Sequence, residues 1–300
     1  MKKHRTLNTV RRTLSVVLAT RNEEENIGLC LKSVEKIADE IIVMDEYSTD
    51  KTRDIAEKYG AEVYKVKHEP IFHKTKQKAI EKASGDWIFQ LDADERVTPP
   101  LAQEIRKAIS LSDCELKKKI IKNNKKRRLF SKHQAIIDKR EGGLGKKTGE
   151  VVAFFIARKN FFLGKPIKYA GVYPDGVIRL FKKSKARLPA RSVHELMEVD
   201  GEVKWLENDL EHHESPTLRR YIQRANRYTD LHAKRLARLN TPKNILYLFL
   251  FTIIKPIIVF FKLLFRHKGF LDGMRGFIWS LFSALHYPLA YWKYWQFAKS

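Results

Sequence analysis

Gly85-Asp-Trp-Ile-Phe-Gln-Leu-Asp-Ala-Asp-Glu95 is the stretch on which the fold turns. Asp86 to Leu91 has the short apolar run of a buried strand, and it passes without a turn signal straight into carboxylates. In open α/β sheets ligands gather outside the carboxyl ends of the strands, so acids at that place point to chemistry rather than packing.

Working back toward the amino terminus, the same layout repeats. Leu14-Ser-Val-Val-Leu-Ala predicts a first buried strand, and Asn22-Glu-Glu-Glu offers a capping box for a helix carrying Ile27, Leu29, Leu31 and Val34. Glu40-Ile-Ile-Val-Met-Asp is a second strand, after which Ser48-Thr-Asp caps a helix through Ile55 and Tyr59 that Gly60 stops. Ala61-Glu-Val-Tyr-Lys-Val is a third strand, and a helix over 74–83 leads to Gly85. This β-α-β-α-β-α-β order predicts an α/β fold: an open, mostly parallel sheet with helices on both faces.

Working forward, Pro99-Pro100 opens another helix. A basic block follows, with 13 Lys/Arg against Asp138 and Glu141 between Lys117 and Lys147. It shows no clear periodicity and carries Gly142-Gly-Leu-Gly, so an inserted loop is expected over 112–150. Such a block suits anionic lipid, nucleic acid, an acidic substrate or plain solvent. Val151-Val-Ala-Phe-Phe-Ile-Ala-Arg and Gly176-Val-Ile-Arg-Leu-Phe predict further strands, and Thr217 to Leu239 a helix. The stretch from Asn244 to Phe265 is almost wholly apolar but is interrupted by Lys255-Pro256; this favours a helix in the membrane interface, or a shallow hairpin, over a full span. Trp279, Tyr287, Tyr291, Trp292, Tyr294 and Trp295 among Lys and His resemble an interfacial belt. The expected division is a main domain over 1–240, comprising a first half at 1–100, the insertion and a second half at 151–215, with a membrane-associating tail over 241–300.

With 300 residues, 43% of them hydrophobic, the chain can bury a large core, and its net charge is +24. The two cysteines, Cys30 and Cys114, are too few for a disulfide framework and fit a reducing compartment, so a cytosolic setting is expected. Met1-Lys-Lys-His-Arg looks like the start of a leader, but the short apolar run Leu14 to Ala19 fits a strand better. Thr20, Asp45, Asp92 and Asp94 all fall at predicted strand ends. Asp92-Ala-Asp94 is a D-x-D pattern, whose hard oxygens suit Mg²⁺ or Mn²⁺ beside a diphosphate. Neither G-x-G-x-x-G nor a Walker loop is present, which disfavours dinucleotide oxidoreductases and P-loop enzymes.

Ser15-Val-Val-Leu-Ala-Thr-Arg-Asn-Glu-Glu-Glu-Asn, Ile42-Val-Met-Asp-Glu-Tyr-Ser-Thr-Asp-Lys-Thr and Asp86-Trp-Ile-Phe-Gln-Leu-Asp-Ala-Asp-Glu together resemble the family-2 inverting glycosyltransferases of GT-A fold. Arg179-Leu-Phe-Lys-Lys, Val193-His-Glu and Gly269-Phe-Leu-Asp-Gly-Met-Arg-Gly extend the resemblance to the subgroup that adds glucose or a related hexose to the inner core of lipopolysaccharide. The resemblance implies a nucleotide-sugar donor, UDP-hexose above all, and a lipid-linked glycan acceptor met at the inner face of the cell membrane by a peripheral or monotopic enzyme. Thr20 and Glu23 would then lie around the base, Asp45 on the uracil or ribose, Lys76 toward the phosphates, Asp92 near the ribose or diphosphate, and Asp94, with Asp92, on the metal.

The matching position for the base that deprotonates the acceptor hydroxyl is Glu195, with His194 beside it as an orienting or acceptor-side group. Asp175 in Tyr173-Pro-Asp-Gly is a weaker acceptor candidate, because Pro-Asp-Gly is also plain turn chemistry. His212-His213 invites a metal, but neighbours on a strand point to opposite faces, so no shared ion is expected. Three other functions compete: a polyprenyl-phosphate sugar synthase of the same fold; a non-catalytic basic module binding membrane or nucleic acid, which leaves the four acids Asp45, Asp92, Asp94 and Glu195 without a purpose; and a nucleotidyltransferase, whose glycine-rich opening is replaced here by Thr20-Arg-Asn-Glu. Nucleic acid is not the expected partner.

Overall fold

The computed structural model describes residues 11–141, 145, 148–189 and 196–296. In chain order these form β1 (Leu14–Thr20), α1 (Ile27–Val34), β2 (Glu40–Asp45), α2 (Thr52–Lys58), β3 (Glu62–Lys65), α3 (Phe72–Lys82), β4 (Trp87–Leu91), β5 (Glu95–Val97), α4 (Pro99–Ser110), α5 (Asp113–Lys118) and α6 (Asn124–Glu141). Then come β6 (Val151–Phe162), β7 (Lys165–Pro166), β8 (Asp175–Lys182), β9 (Ala186–Arg187), β10 (Glu198–Val199), β11 (Glu202–Trp205), β12 (Leu210–Ser215) and α7 (Leu218–Arg238). A continuous helical stretch, Ile245–Arg266, and α10 complete the chain; within that stretch α8 (Ile245–Phe249) and α9 (Lys255–Phe261) are each followed by one π-helical turn, and α10 spans Met274–Gln296.

Compactness divides the chain into two units: the described residues of Met1–Arg158 with Gly176–His212, and Lys159–Asp175 with His213–Ser300. The helix α7, expected in the catalytic part, packs with the tail helices in the second unit.

In the first unit β3, β2, β1 and β4 are parallel neighbours, as the alternation of the first hundred residues predicts. β8 then joins β4 antiparallel, and the sheet runs on through β6 and β12 to β5, so it is mixed but parallel in its first half. Alternate residues of β1 feed two cores. Leu14, Val16 and Leu18 pack with α1 and α4, whereas Val17 packs with Ala79 and Ile80 of α3 and Ile137 of α6. Gly85 is required where β4 begins, since a Cβ there would lie 2.6 Å from the Ser15 hydroxyl and 2.9 Å from its nitrogen.

Two local expectations differ. Asn22 does not cap α1: its φ is +54° and its side-chain oxygen accepts from the Thr49 N–H instead, so the loop after β1 is stitched to the loop after β2. Leu29, counted on the buried face, is exposed.

Most of the described part of the basic block is helical instead of a loop. Ser112 and Glu115 form a capping box at α5, and the Asn123 side chain accepts from the N–H groups of Lys125 and Lys126 at the start of α6. Its apolar anchors are sparse, with Phe130 and Ile137 two turns apart, so no periodicity stands out against the charges. Trp205 of β11 supplies the missing partner: its ring stacks on Phe130 at 4.4 Å and on Phe155 at 4.8 Å, and its Nε1–H donates to Gln134. Trp205→Ala should cost about 3 kcal/mol in a urea titration and make Lys125 to Arg128 the first tryptic cutting site. An α6 as protease-resistant as in the wild type would show that other contacts dock it.

Candidate functional site

Register places the strand-end residues side by side: Thr20 pairs with Asp45 across β1 and β2, and β4 delivers Asp92 next to them. Asp45 is fully buried. One of its oxygens accepts from the hydroxyls of Thr20 (3.1 Å) and Ser48 (2.5 Å), the other from the Ser48 N–H at 2.8 Å, and Arg53 Nε lies 3.6 Å away. Asp45 thus shapes the loop that follows β2. Glu23 does the same after β1, accepting from the Asn26 amide and donating its own N–H to Thr52. Next to Asp45, Glu46 is also buried and is held by the Thr75 hydroxyl and by His68 Nδ1 at 2.5 Å, which ties β2 to α3 one residue before Lys76.

Asp92 stands between two cations. Lys76 Nζ lies 2.5 Å from one oxygen and Arg179 NH2 2.5 Å from the other. Arg179 also donates to Glu95 at 2.6 Å and to the side-chain oxygen of Gln90, while Arg158 reaches Glu95 at 3.7 Å. Glu95 in turn accepts from the Asp92 N–H at 3.0 Å, closing the turn. Burial works against ionisation of Asp92, but Arg179 and Lys76 override it and hold the carboxyl well below the usual range. Its charge therefore contributes stability above the ordinary carboxylate range, which is lost as acid protonates it.

Asp94 points elsewhere. Its carboxylate lies 3.6 Å from His212 Nε2 of β12 and keeps a lowered pKa, because burial, which raises it, is outweighed by the imidazole beside it. His213, the neighbour of His212, stacks on Phe161 in the second unit, so the two imidazoles have separate surroundings, in keeping with opposite faces of a strand. Among the described residues no three His, Cys, Asp or Glu side chains form a ready metal cage. Asp94 and His212 stand together beside the turn, whereas both oxygens of Asp92 are paired with cations.

Asp175 lies in the second unit, where the Asn160 amide donates to it at 3.0 Å. Glu195 and His194 lie outside the described residues. β9 and β10, which precede and follow them in the sequence, pair antiparallel, and the Leu188 N–H donates to Gln77 of α3, one residue after Lys76.

Sequence reasoning named Arg179 without giving it a task and set His212 aside with His213. The signal for His212 was the alternation of Leu210 and His212, which puts both on the inward face. Arg179 announces itself more faintly, as a lone cation in the apolar strand Val177-Ile-Arg-Leu-Phe181.

Residues 15–163 match glycosyl transferase family 2. The chain is 26% identical over 279 residues to the lipopolysaccharide core biosynthesis glycosyltransferase LpsC of Rhizobium meliloti, covering 91% of this chain and 88% of that one. An uncharacterized glycosyltransferase of Rickettsia bellii is 42% identical over 94 residues, a match that spans 31% of each protein. Among solved structures, glucosyl-3-phosphoglycerate synthase from Mycobacterium tuberculosis, in complex with Mn²⁺, UDP and glucosyl-3-phosphoglycerate, aligns over 78% of this chain and 82% of that one with 18% identity and a TM-score of 0.41. With the family pattern running from β1 through the D-x-D turn into β6, the chain carries a glycosyl transferase family 2 domain of GT-A fold and is a glycosyltransferase.

Proposed function

We propose that the enzyme moves a hexose, glucose foremost, from a nucleoside diphosphate sugar to a lipid-linked or lipopolysaccharide-core acceptor with inversion at the anomeric carbon. The observation that carries this proposal is the split D-x-D turn: Asp92 is locked between Lys76 and Arg179, while Asp94 is left facing His212. Asp94 and His212, a carboxylate and an imidazole 3.6 Å apart, would hold the divalent cation. A bound Mg²⁺ or Mn²⁺ would add Lewis-acid charge at the departing diphosphate.

The chain's own residues do the rest. Lys76, held against Asp92, stands ready beside the diphosphate position, and the loop ordered by Thr20, Glu23 and Asp45 receives the base and ribose. Glu195 takes the proton from the acceptor hydroxyl as that oxygen bonds to the anomeric carbon, and the bond to the diphosphate breaks on the opposite face with its electron pair. His194 orients Glu195, and Asp175 serves the acceptor side. The likeness to LpsC supports a lipopolysaccharide-core acceptor. An acceptor rooted in lipid fits a peripheral or monotopic enzyme at the cytoplasmic face of the membrane, and the apolar tail fits that attachment.

Asp94→Ala should lower Mn²⁺-dependent release of nucleoside diphosphate to below about a tenth of wild type with the fold intact by circular dichroism. Turnover above that level would remove Asp94 from the metal. In Glu195→Gln, kcat should drop roughly 10²- to 10⁴-fold with donor affinity nearly kept; a kcat within a few-fold of wild type would move the base to Asp175. Arg179→Ala leaves the buried Glu95 and the half-buried Asp92 short of a partner and should cost about 3–5 kcal/mol of stability. Arg179→Lys restores charge but not the fork, so it should recover much of the stability while still raising the Mn²⁺ concentration needed for half-activation. An unchanged metal requirement in the Lys variant would limit Arg179 to a purely structural part.

A further inference from the structure

Tyr47, two residues past the end of β2, has a φ of +53°. In that left-handed region the Cβ of an L-residue crowds the following carbonyl, and a bulky side chain is a poor occupant beside glycine. Asn22, two residues past β1, has nearly the same φ, +54°, but asparagine tolerates the region and its side-chain oxygen accepts from the Thr49 N–H. Tyrosine has no short polar group that could compensate in the same way.

The conformation is imposed from both sides. Glu46 is buried, with its carboxylate held by the Thr75 hydroxyl and, at 2.5 Å, by His68 Nδ1. Ser48 is buried too: its N–H donates to Asp45 at 2.8 Å, its hydroxyl oxygen accepts from the Asn22 N–H at 2.9 Å, and its carbonyl accepts from Arg53 at 3.3 Å. Backbone strain persists only where the surroundings over-determine it, and it gathers at ligand-binding places.

What the strain achieves is exposure. Between Glu46 at 1% and Ser48 at 3%, Tyr47 is 63% exposed, and among the described residues no hydrogen bond or ring contact holds its side chain. Packing therefore does not explain a tyrosine here, since glycine would fill the same turn without strain.

The carboxyl end of β2 is where an open α/β sheet receives its ligands. Asp45, which ends that strand, is fully buried, and its oxygens are engaged by Thr20 and Ser48, so it works from beneath the loop. We propose that Tyr47 is the platform on which the nucleobase of the donor stacks. This rests on the nucleotide-sugar reading above and adds to it the side chain that grips the base. Every base has a π-face, so an aromatic ring binds it by area, and a tyrosine on a pinned backbone has few torsions left to order. A protein partner is a poorer occupant: from Glu46 to Lys51 no other large hydrophobic is exposed, so the contiguous apolar patch such a partner needs is missing from this loop.

The test is calorimetry on the full-length protein in Mn²⁺ with UDP, CDP, GDP and ADP, and with pyrophosphate as the probe that lacks a base. The nucleotide that wild type binds most tightly should bind Tyr47→Gly roughly 5- to 100-fold more weakly, the range for losing one base stack. Pyrophosphate should bind wild type and Tyr47→Gly alike. Tyr47→Phe keeps the ring and should stay within about threefold of wild type for the nucleotide. Thermal unfolding should carry the opposite sign, because Tyr47→Gly relieves the left-handed strain and should melt no lower than wild type. An unchanged nucleotide affinity in Tyr47→Gly overturns the proposal. So does a loss in Tyr47→Phe as large as in Tyr47→Gly, which would move recognition to the hydroxyl. A Tyr47→Gly protein that melts lower and loses pyrophosphate as well would make the tyrosine a structural residue and overturn it too. A wild type that binds none of the four nucleotides would overturn the donor reading itself, and this proposal with it.

Discussion

Arg179 is the charge on which the catalytic turn depends. Its guanidinium, almost fully buried, joins Gln90 on β4, Asp92 in the turn and Glu95 on β5, three points that the chain would otherwise leave as a strand running into a knot of like charges. Three carboxylates within four residues repel one another, and none would stay ionised in a poorly hydrated place without compensation. Lys76 and Arg158 complete the balance from α3 and β6. An arginine suits the central post better than a lysine, because its planar fork can give several directed hydrogen bonds at once. The antiparallel addition of β8 to the parallel sheet is what brings it there, since pairing of Phe89 with Leu180 sets Arg179 one residue from the end of β4.

What the sequence displays openly is whatever burial writes as a pattern. β1, β2 and β4 are fully or almost fully buried runs, so their apolar residues are contiguous and their ends are marked by the first polar group. The strand-end residues Thr20, Asp45, Asp92 and Asp94 were legible for the same reason. α6 was not, because a helix docked through Phe130 and Ile137 on one aromatic residue seventy positions away has no local periodicity to read. Asn22 misleads in a related way: Asn22-Glu-Glu-Glu has the composition of a cap, but the competing hydrogen bond from Thr49 lies across a loop that only the paired strands bring near. Lys255-Pro256 interrupts the apolar run in the sequence but not the helix, because the backbone spreads the cost of the proline over a wider helical turn.

The two acids of the D-x-D turn divide their labour through neighbours that sequence alone does not place. Asp92 is committed to cations of the protein, and Asp94, two residues on, faces an imidazole. A carboxylate already satisfied by Lys76 and Arg179 gains little by binding a metal, since it would have to give up two charge-assisted contacts for one. For that reason the reading proposed above gives the metal to Asp94 beside His212. The pairing with Asp92 holds Lys76 in place, so in the proposed reading the donor would meet a site whose polar groups are already positioned and whose reorganisation on binding is small.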